Sequence, residues 1–213
     1  MALPIRMVER LSAYRRHLRG WMAEGRERIY SHELGGLVGA TPAQVRRDLM
    51  TIGFTGSPAR GYDVGGLVEK IGTLLDPAER KSMVLVGAGY LGRAVLKYFS
   101  ATHPELPIVA AFDIAPEKTG RIIDGCRCYA TQELVPVVRE NAVLIGIIAV
   151  PSEAAQGVAE KLVNAGVRGL LNFTRVRLHV PPEVFVEDVD ISVSLEKVVF
   201  FTRARNGTRE AQA

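Results

Sequence analysis

The sequence predicts an α/β protein in two parts, a small helical domain followed by a domain built on a parallel sheet. Three observations predict it. Over residues 8–23 apolar side chains recur at three- and four-residue steps, the spacing of one helix face. From Ser82 onward, strand-length apolar runs alternate with helical stretches, the signature of βαβ units. A glycine-rich turn, Gly87 to Gly92, joins the first of those runs to the first of those helices.

The elements follow in chain order. Val8, Leu11, Tyr14, Leu18, Trp21 and Met22 form the apolar face of the first helix, which Gly25 ends. Ser31 is positioned to N-cap a short helix whose inner face is Leu34, Leu37 and Val38. Thr41 N-caps a third helix, with Pro42 at its first position and Gln44 closing a capping box. A short helix, a tight turn and a well-capped helix make a helix-turn-helix pattern. Residues 53–62, rich in Gly and Pro, predict a hairpin or exposed loop. Residues 63–80 read as a connector, helical through Leu67, Ile71, Leu74 and Leu75 and stopped at Asp76-Pro77. Strands are expected over 83–86, 108–113, 143–150 and 167–173, with helices over 90–99 and 153–164.

Bulk properties set bounds. The 213 residues are 47% hydrophobic and 23% charged, which describes a folded chain rather than a disordered one. The longest strand-like apolar run, 143–150, is too short for a membrane helix, and the first residues lack the apolar core of a signal peptide, so a cytoplasmic protein without membrane contact is expected. Cys126 and Cys128 are too close for a structural disulfide, and no four-ligand zinc spacing occurs; two reduced thiols and no metal are expected. Residues 1–62 hold ten Arg and no Lys against five acidic residues, an excess of five in a chain of net charge +4. The remainder is close to neutral, and the basic first third suits an anionic partner.

Gly87-Ala88-Gly89-Tyr90-Leu91-Gly92 is G-x-G-x-x-G between a strand and a helix, the context of a Rossmann dinucleotide turn. Gly87 permits the turn, Gly89 lets backbone approach a pyrophosphate, and Gly92 allows helix–strand packing. The helix N-terminus supplies amides and a positive dipole end. Asp113, closing the next strand, suits the ribose hydroxyls and favours NAD or NADH over a 2′-phosphorylated cofactor. FAD and coenzyme A remain open at this point. A dehydrogenase would need an acid or base near the nicotinamide, yet His17, His32, His103 and His179 sit in no catalytic set, His179 in a segment read as a strand. A nucleotide pocket without a reaction points to sensing rather than an enzyme, with an NAD-dependent oxidoreductase or a coenzyme A module as alternatives. On the third helix Val45 and Leu49 face inward. Ala43, Gln44, Arg47 and Met50 then face out, with Arg46 on the flank, as major-groove reading needs. The loop bearing Ser57, Arg60, Gly61 and Tyr62 is a candidate wing that lays Arg60 in the minor groove.

The ordered set Tyr14-Arg15-Arg16, Gln44-Val45-Arg46-Arg47-Asp48-Leu49, Gly61-Tyr62, the glycine motif, Phe112-Asp113, Pro116-Glu117-Lys118, Val150-Pro151, Leu171-Asn172-Phe173 and Val189-Asp190 resembles the Rex family of bacterial redox-sensing repressors. The resemblance runs nearly end to end. It implies a winged-helix DNA-binding domain and connector over 1–78, a Rossmann domain over 79–190, and a domain-swapped C-terminal helix and tail over 191–213. It implies a homodimer on palindromic operator DNA, bound as the apo or NAD form and released by NADH. Cofactor residues would be Gly87 to Gly92, Asp113, Val150 and Pro151; DNA residues Thr41, Gln44, Arg46, Arg47, Ser57, Arg60 and Tyr62; switch residues Arg16, Tyr98 and Asp190. An amphipathic run of Val193, Leu195, Val198, Val199 and Phe200 suits the swapped helix. Two positions depart from the family. Pro58 replaces a wing base, with Arg60 displaced, and Ala115 stands where a second Asp is frequent, leaving Asp113 alone for the ribose.

Overall fold

A computed structural model describes residues 3–57, 59–76, 81–103 and 105–210, with side chains through residue 202. Pro58, Pro77 and the expected boundary at 78–79 lie outside the described residues. The chain divides into two compact units, Met1–Glu79 and Arg80–Ala213.

The first unit runs α1 (Ile5–Ala23), β1 (Arg28–Ile29), α2 (Ser31–Val38), α3 (Pro42–Thr51), β2 (Tyr62–Asp63) and α4 (Val64–Leu75). Its core gathers Leu11, Tyr14 and Leu18 of α1, Leu34 of α2, Val45 and Leu49 of α3, and Leu67 and Ile71 of α4. The expected connector is therefore an integral helix of this unit. Burial on α1 follows Met7, Leu11, Tyr14 and Leu18, while Val8 and Met22 are exposed. One residue is a 100° turn of the helix, which carries Val8 to the edge of the stripe that Met7 begins. Ser31 does not cap α2 but is its first helical residue; the Tyr30 N–H is tied by Glu33 Oε2 at 2.8 Å. Leu37 is exposed rather than inward. β1 and β2 pair antiparallel, Ile29 opposite Tyr62, and Ser57 bridges Gly61 to form the turn above them. Helix-turn-helix plus this ribbon is a winged-helix arrangement.

The second unit runs β3 (Met83–Val86), α5 (Tyr90–Thr102), β4 (Ile108–Asp113), β5 (Ile122–Ile123), β6 (Cys126–Ala130), α6 (Leu134–Glu140), β7 (Ile145–Ile148), α7 (Ser152–Ala165), β8 (Gly169–Asn172), β9 (Phe185–Asp188) and α8 (Ile191–Glu210). The seven strands lie in the order β5-β6-β4-β3-β7-β8-β9, all pairs parallel except β5 with β6. The six parallel strands thus follow the 3-2-1-4-5-6 order of a doubly wound Rossmann sheet, with its switch point between β3 and β7. One apolar layer holds Val84, Val86, Phe112, Leu134, Ile148, Leu162 and Leu170; the opposite layer holds Leu85, Val95, Leu96, Cys128 and Ile147. Alternate residues of the same strands face the two layers, as a sheet covered on both sides requires.

Three expectations need correcting here. His179 lies outside any strand; its N–H instead donates to the Gln156 side chain at 2.9 Å. The strand forecast over 143–150 spans only Ile145–Ile148, because Val143 closes the α6 turn by bonding Val138. α8 is not amphipathic. Ile191, Val193, Leu195, Val198, Val199, Phe200 and Phe201 are all exposed. At 3.6 residues per turn Ile191, Leu195 and Val198 share one side, and Val193 and Phe200 the opposite one. Cys126 and Cys128 are free and buried on β6, and burial pushes the Cys126 thiol up to about 11, leaving it protonated.

Candidate nucleotide site and nucleic-acid interface

The carboxyl ends of β3, β4 and β7 converge at the switch point. Gly87 N–H donates to Phe112 O and Ala149 N–H to Val86 O, each at 2.8 Å. Gly87 has φ +99°, and a β-carbon there would stand 2.3 Å from Ala149 O and 3.1 Å from Val150. Val150 is thereby brought against the glycine turn, with Pro151 heading α7. A β-carbon on Gly92 would meet Gly87 O at 1.9 Å, so only glycine lets α5 start this close to β3. Gly89, the N-cap of α5, differs: a β-carbon there meets nothing within 4 Å. Its lack of a side chain leaves open space in front of the helix N-terminus. Tyr90, fully exposed, and Leu91 flank that space, while Ala88 is buried behind it.

Asp113 is 7% exposed and anchors the turn. Its Oδ2 accepts the Ala88 N–H at 2.9 Å and Lys118 Nζ at 2.9 Å, and its Oδ1 accepts the Ala115 N–H at 2.9 Å. Burial alone would raise this carboxyl. The Ala115 amide, Lys118 and the Ala88 amide together outweigh it and hold the group below the ordinary carboxylate range. Asp113 is therefore ionised, with acceptor capacity left on Oδ1 for a ribose hydroxyl. Lys118 offsets part of the charge expected to repel a 2′-phosphate.

The second constellation sits in the first unit. Thr41 Oγ1 accepts the Gln44 N–H at 3.1 Å, capping α3. The Gln44 side chain does not close a capping box; Nε2 donates to Asp48 Oδ1 at 2.8 Å. Asp48 is 2% exposed. Oδ2 also accepts Arg10 Nε at 2.7 Å and Tyr14 Oη at 3.0 Å, and Oδ1 accepts Arg10 Nη2 at 2.8 Å. Burial pushes the Asp48 carboxyl up, but the bonds from Arg10, Gln44 and Tyr14 together hold it below its usual range. Burial first, then Asp48, pushes the Tyr14 phenol up, so it stays a donor. Nothing in the sequence reading separated Asp48 from solvated charges. Its offset from Val45 and Leu49, which places it on the edge of the inward face toward α1, was the available signal.

Arg46 and Arg47 are exposed on α3, and Arg46 Nη1 bonds Ser31 Oγ at 3.1 Å. Ser57 and Arg60 are exposed in the wing turn, whereas Tyr62 is half-buried against Phe54, ring centres 6.4 Å apart. The expected switch residues fall in different units. Arg16 is exposed on α1; Tyr98 is exposed on α5, edge-on to Phe99. Asp190 Oδ1 accepts the Ser192 N–H at 2.8 Å and the Val193 N–H at 3.2 Å, capping α8. Among the described residues no cluster of three His, Cys, Asp or Glu could hold a metal, and no helix is long and apolar enough to cross a membrane.

Known proteins share this layout. A family model described as "CoA binding domain" matches residues 78–176, and one described as "Putative DNA-binding protein N-terminus" matches residues 2–49. The redox-sensing transcriptional repressor Rex of Desulfitobacterium hafniense is 39% identical over 211 residues, 99% of each chain. Redox-sensing transcriptional repressor Rex 1 of Enterococcus faecalis is 34% identical over 204 residues, 96% of this chain and 94% of the relative. RSP, a Rex-family repressor, has been solved in complex with β-NAD+ and operator DNA, and that structure superposes with TM-score 0.89 at 29% identity over 100% of this chain and 98% of RSP. Its complex with β-NADH superposes at 0.87 and 29% identity, covering 99% of both chains. The coenzyme A model spans part of the sheet unit, whereas these relatives span both units and are transcriptional repressors rather than enzymes. The chain belongs to the Rex family of redox-sensing transcriptional repressors.

Proposed function

We propose that this chain acts as a homodimer that binds palindromic operator DNA in its apo or NAD form and leaves it when NADH binds. The glycine turn carries this reading. Open space before α5, bounded by two glycines that admit no β-carbon and backed by an ionised Asp113, fits a dinucleotide pyrophosphate and ribose. Residues Gly87, Ala88, Gly89, Tyr90, Leu91 and Gly92 would hold the phosphates, Asp113 the ribose, and Val150 and Pro151 the flank. In the cytoplasm the bound nucleotide would report the NADH/NAD ratio.

Operator contacts fall to α3 and the wing: Thr41, Gln44, Arg46 and Arg47 at the major groove, Ser57, Arg60 and Tyr62 beside it. Two recognition helices in successive grooves require half-sites about 34–36 Å apart, or a multiple. Arg16, Tyr98 and Asp190 would exchange partners as the winged-helix domain, 1–78, and the Rossmann domain, 79–190, reorient. Segment 191–213 would swap onto a second copy, which accounts for α8 carrying exposed apolar side chains on opposite sides.

Fluorescence anisotropy on selected palindromic duplexes at fixed salt tests the proposal. Specific binding lost with NADH but not NAD is the expected result. Linkage requires that operator DNA weaken NADH binding by the same factor. Specific binding indifferent to both nucleotides would sink the sensing half, and turnover of a carbonyl substrate without specific binding would return the oxidoreductase. Arg60→Ala should weaken operator binding while leaving the melting temperature unchanged.

A further inference from the structure

Tyr30 stands where the wing ribbon meets the helix-turn-helix. It follows β1 directly and is the N-cap residue of α2. Its main chain is fixed there: the N–H donates to Glu33 Oε2 at 2.8 Å, and Glu33 in turn accepts from Arg26. Its ring stacks on the His32 ring, centres 5.7 Å apart and planes 19° from parallel. From that post the phenol reaches the wing, where Tyr30 Oη donates to Ala59 O at 3.2 Å. The turn it meets is tight. Ser57 N–H donates to Gly61 O at 3.1 Å, and Ser57 O accepts the Gly61 N–H at 2.7 Å and the Arg60 N–H at 3.2 Å. Gly61 has φ +66°, and a β-carbon there would stand 2.4 Å from Ile29 O and 3.3 Å from the Tyr30 ring. The foot of the turn is therefore pressed onto the end of β1. Beside it opens a cleft of about 390 Å³ whose walls include Tyr30, Ser31, Arg46 and Ser57. Among the described residues, the Tyr30 phenol is the one side chain outside the turn that hydrogen-bonds residues 56–61.

Resting on the reading of this turn as a minor-groove wing, we propose that Tyr30 is the positioning residue for Arg60. Ala59 O and the Arg60 N–H belong to one planar peptide unit. Tyr30 Oη holds one edge of that plane and Ser57 O the other. With both edges tied, the plane cannot rotate, and the direction in which the Arg60 Cα leaves it is set before DNA arrives. The Arg60 side chain is exposed and, among the described residues, makes no hydrogen bond or ion pair of its own, so its guanidinium is left for the groove. A backbone ordered in advance lowers the entropic cost of placing a long side chain in a narrow groove.

Operator affinity of the whole protein, measured by anisotropy at fixed salt, tests this across wild type, Tyr30→Phe, Arg60→Ala and the double variant. Phenylalanine keeps the ring beside His32 and Gly61 and deletes only the hydroxyl, so the melting temperature should hold. Tyr30→Phe should weaken wild-type binding about threefold, the low end for one hydrogen bond, because this one is long for a hydroxyl and open to water. In the Arg60→Ala background the same change should cost nothing, a coupling that lowered stability alone does not produce. A second readout is the preference for A·T over G·C flanks, which a minor-groove arginine confers: it should shrink in Tyr30→Phe and vanish in Arg60→Ala. A threefold loss that persists without Arg60 would put the phenol on the DNA itself and overturn the proposal. So would affinity and flank preference in Tyr30→Phe equal to wild type. Arg60→Ala binding as tightly as wild type would overturn the wing reading beneath this inference, and no specific binding by wild type would overturn the repressor reading as well.

Discussion

Among the described residues each unit buries one aspartate, and the two are satisfied in different ways. Asp48 is surrounded by side chains, from Arg10, Tyr14 and Gln44, that join α1 to α3. Asp113 is held largely by main-chain amides, at Ala88 and Ala115, with Lys118 as its one cation. A carboxylate bound by side chains orients helices, and its loss is felt in packing. A carboxylate bound by backbone shapes a loop, and its loss is felt by whatever that loop receives. The comparison separates a residue that builds a reading surface from one that builds a ligand site.

Asp48→Ala breaks the comparison most strongly. It strands Arg10 beside a buried position and should destabilise the first unit by about 3 kcal/mol, at the lower end for a broken buried pair because Arg10 is a quarter exposed. Trp21, the only tryptophan, lies on α1, so its fluorescence in urea reports this unit. NADH affinity should be unchanged, whereas Asp113→Asn should lose it. Acid probes both at once. Both carboxyls sit below their ordinary value, so their contributions are complete above about pH 3.8, the unfolded-state value, and disappear as pH falls through the depressed folded values. Melts across pH should be flat in this term from neutrality down to that point; a loss beginning near pH 6 would contradict it.

Smaller changes sharpen the contrast. Gly92→Ala must push α5 off β3 and should cost about 2 kcal/mol together with nucleotide affinity. Tyr14→Phe removes one of the bonds to Asp48 and should cost about 1 kcal/mol, read by the same tryptophan. Gly89→Ala should change stability by less than about 0.5 kcal/mol, since its methyl meets nothing, while weakening NADH binding by crowding the phosphates. A stability loss at Gly89 equal to that at Gly92 would erase the steric distinction between them.

Much of this was legible in the sequence, where pattern alone decides structure. The buried strands Met83–Val86 and Ile108–Asp113 are continuous apolar runs, and Thr41-Pro42 marks a helix start without ambiguity. β6 was missed because Cys126-Arg127-Cys128 is short and mixed, and β9 because Phe185, Glu187 and Asp188 on an edge strand are exposed. Polar side chains were the harder matter. Gln44 three residues after Thr41 has the spacing of a capping box, yet a buried carboxylate four residues on competes for the same amide and wins. Likewise Lys118 beside Asp113 depends on the turn at 115–119, which no periodicity encodes.

The exposed helix α8 has a consequence for the lifetime of the molecule. Seven large apolar side chains stand in water along one helix of a single chain. Chaperones and proteases sort proteins by displayed surface of this kind. Under the assembly proposed above, a copy diluted below the dissociation constant of that assembly would be marked for removal, while an assembled copy would be hidden. The abundance of the regulator would then be trimmed by its own mass action, at a threshold set by this helix rather than by any nucleotide.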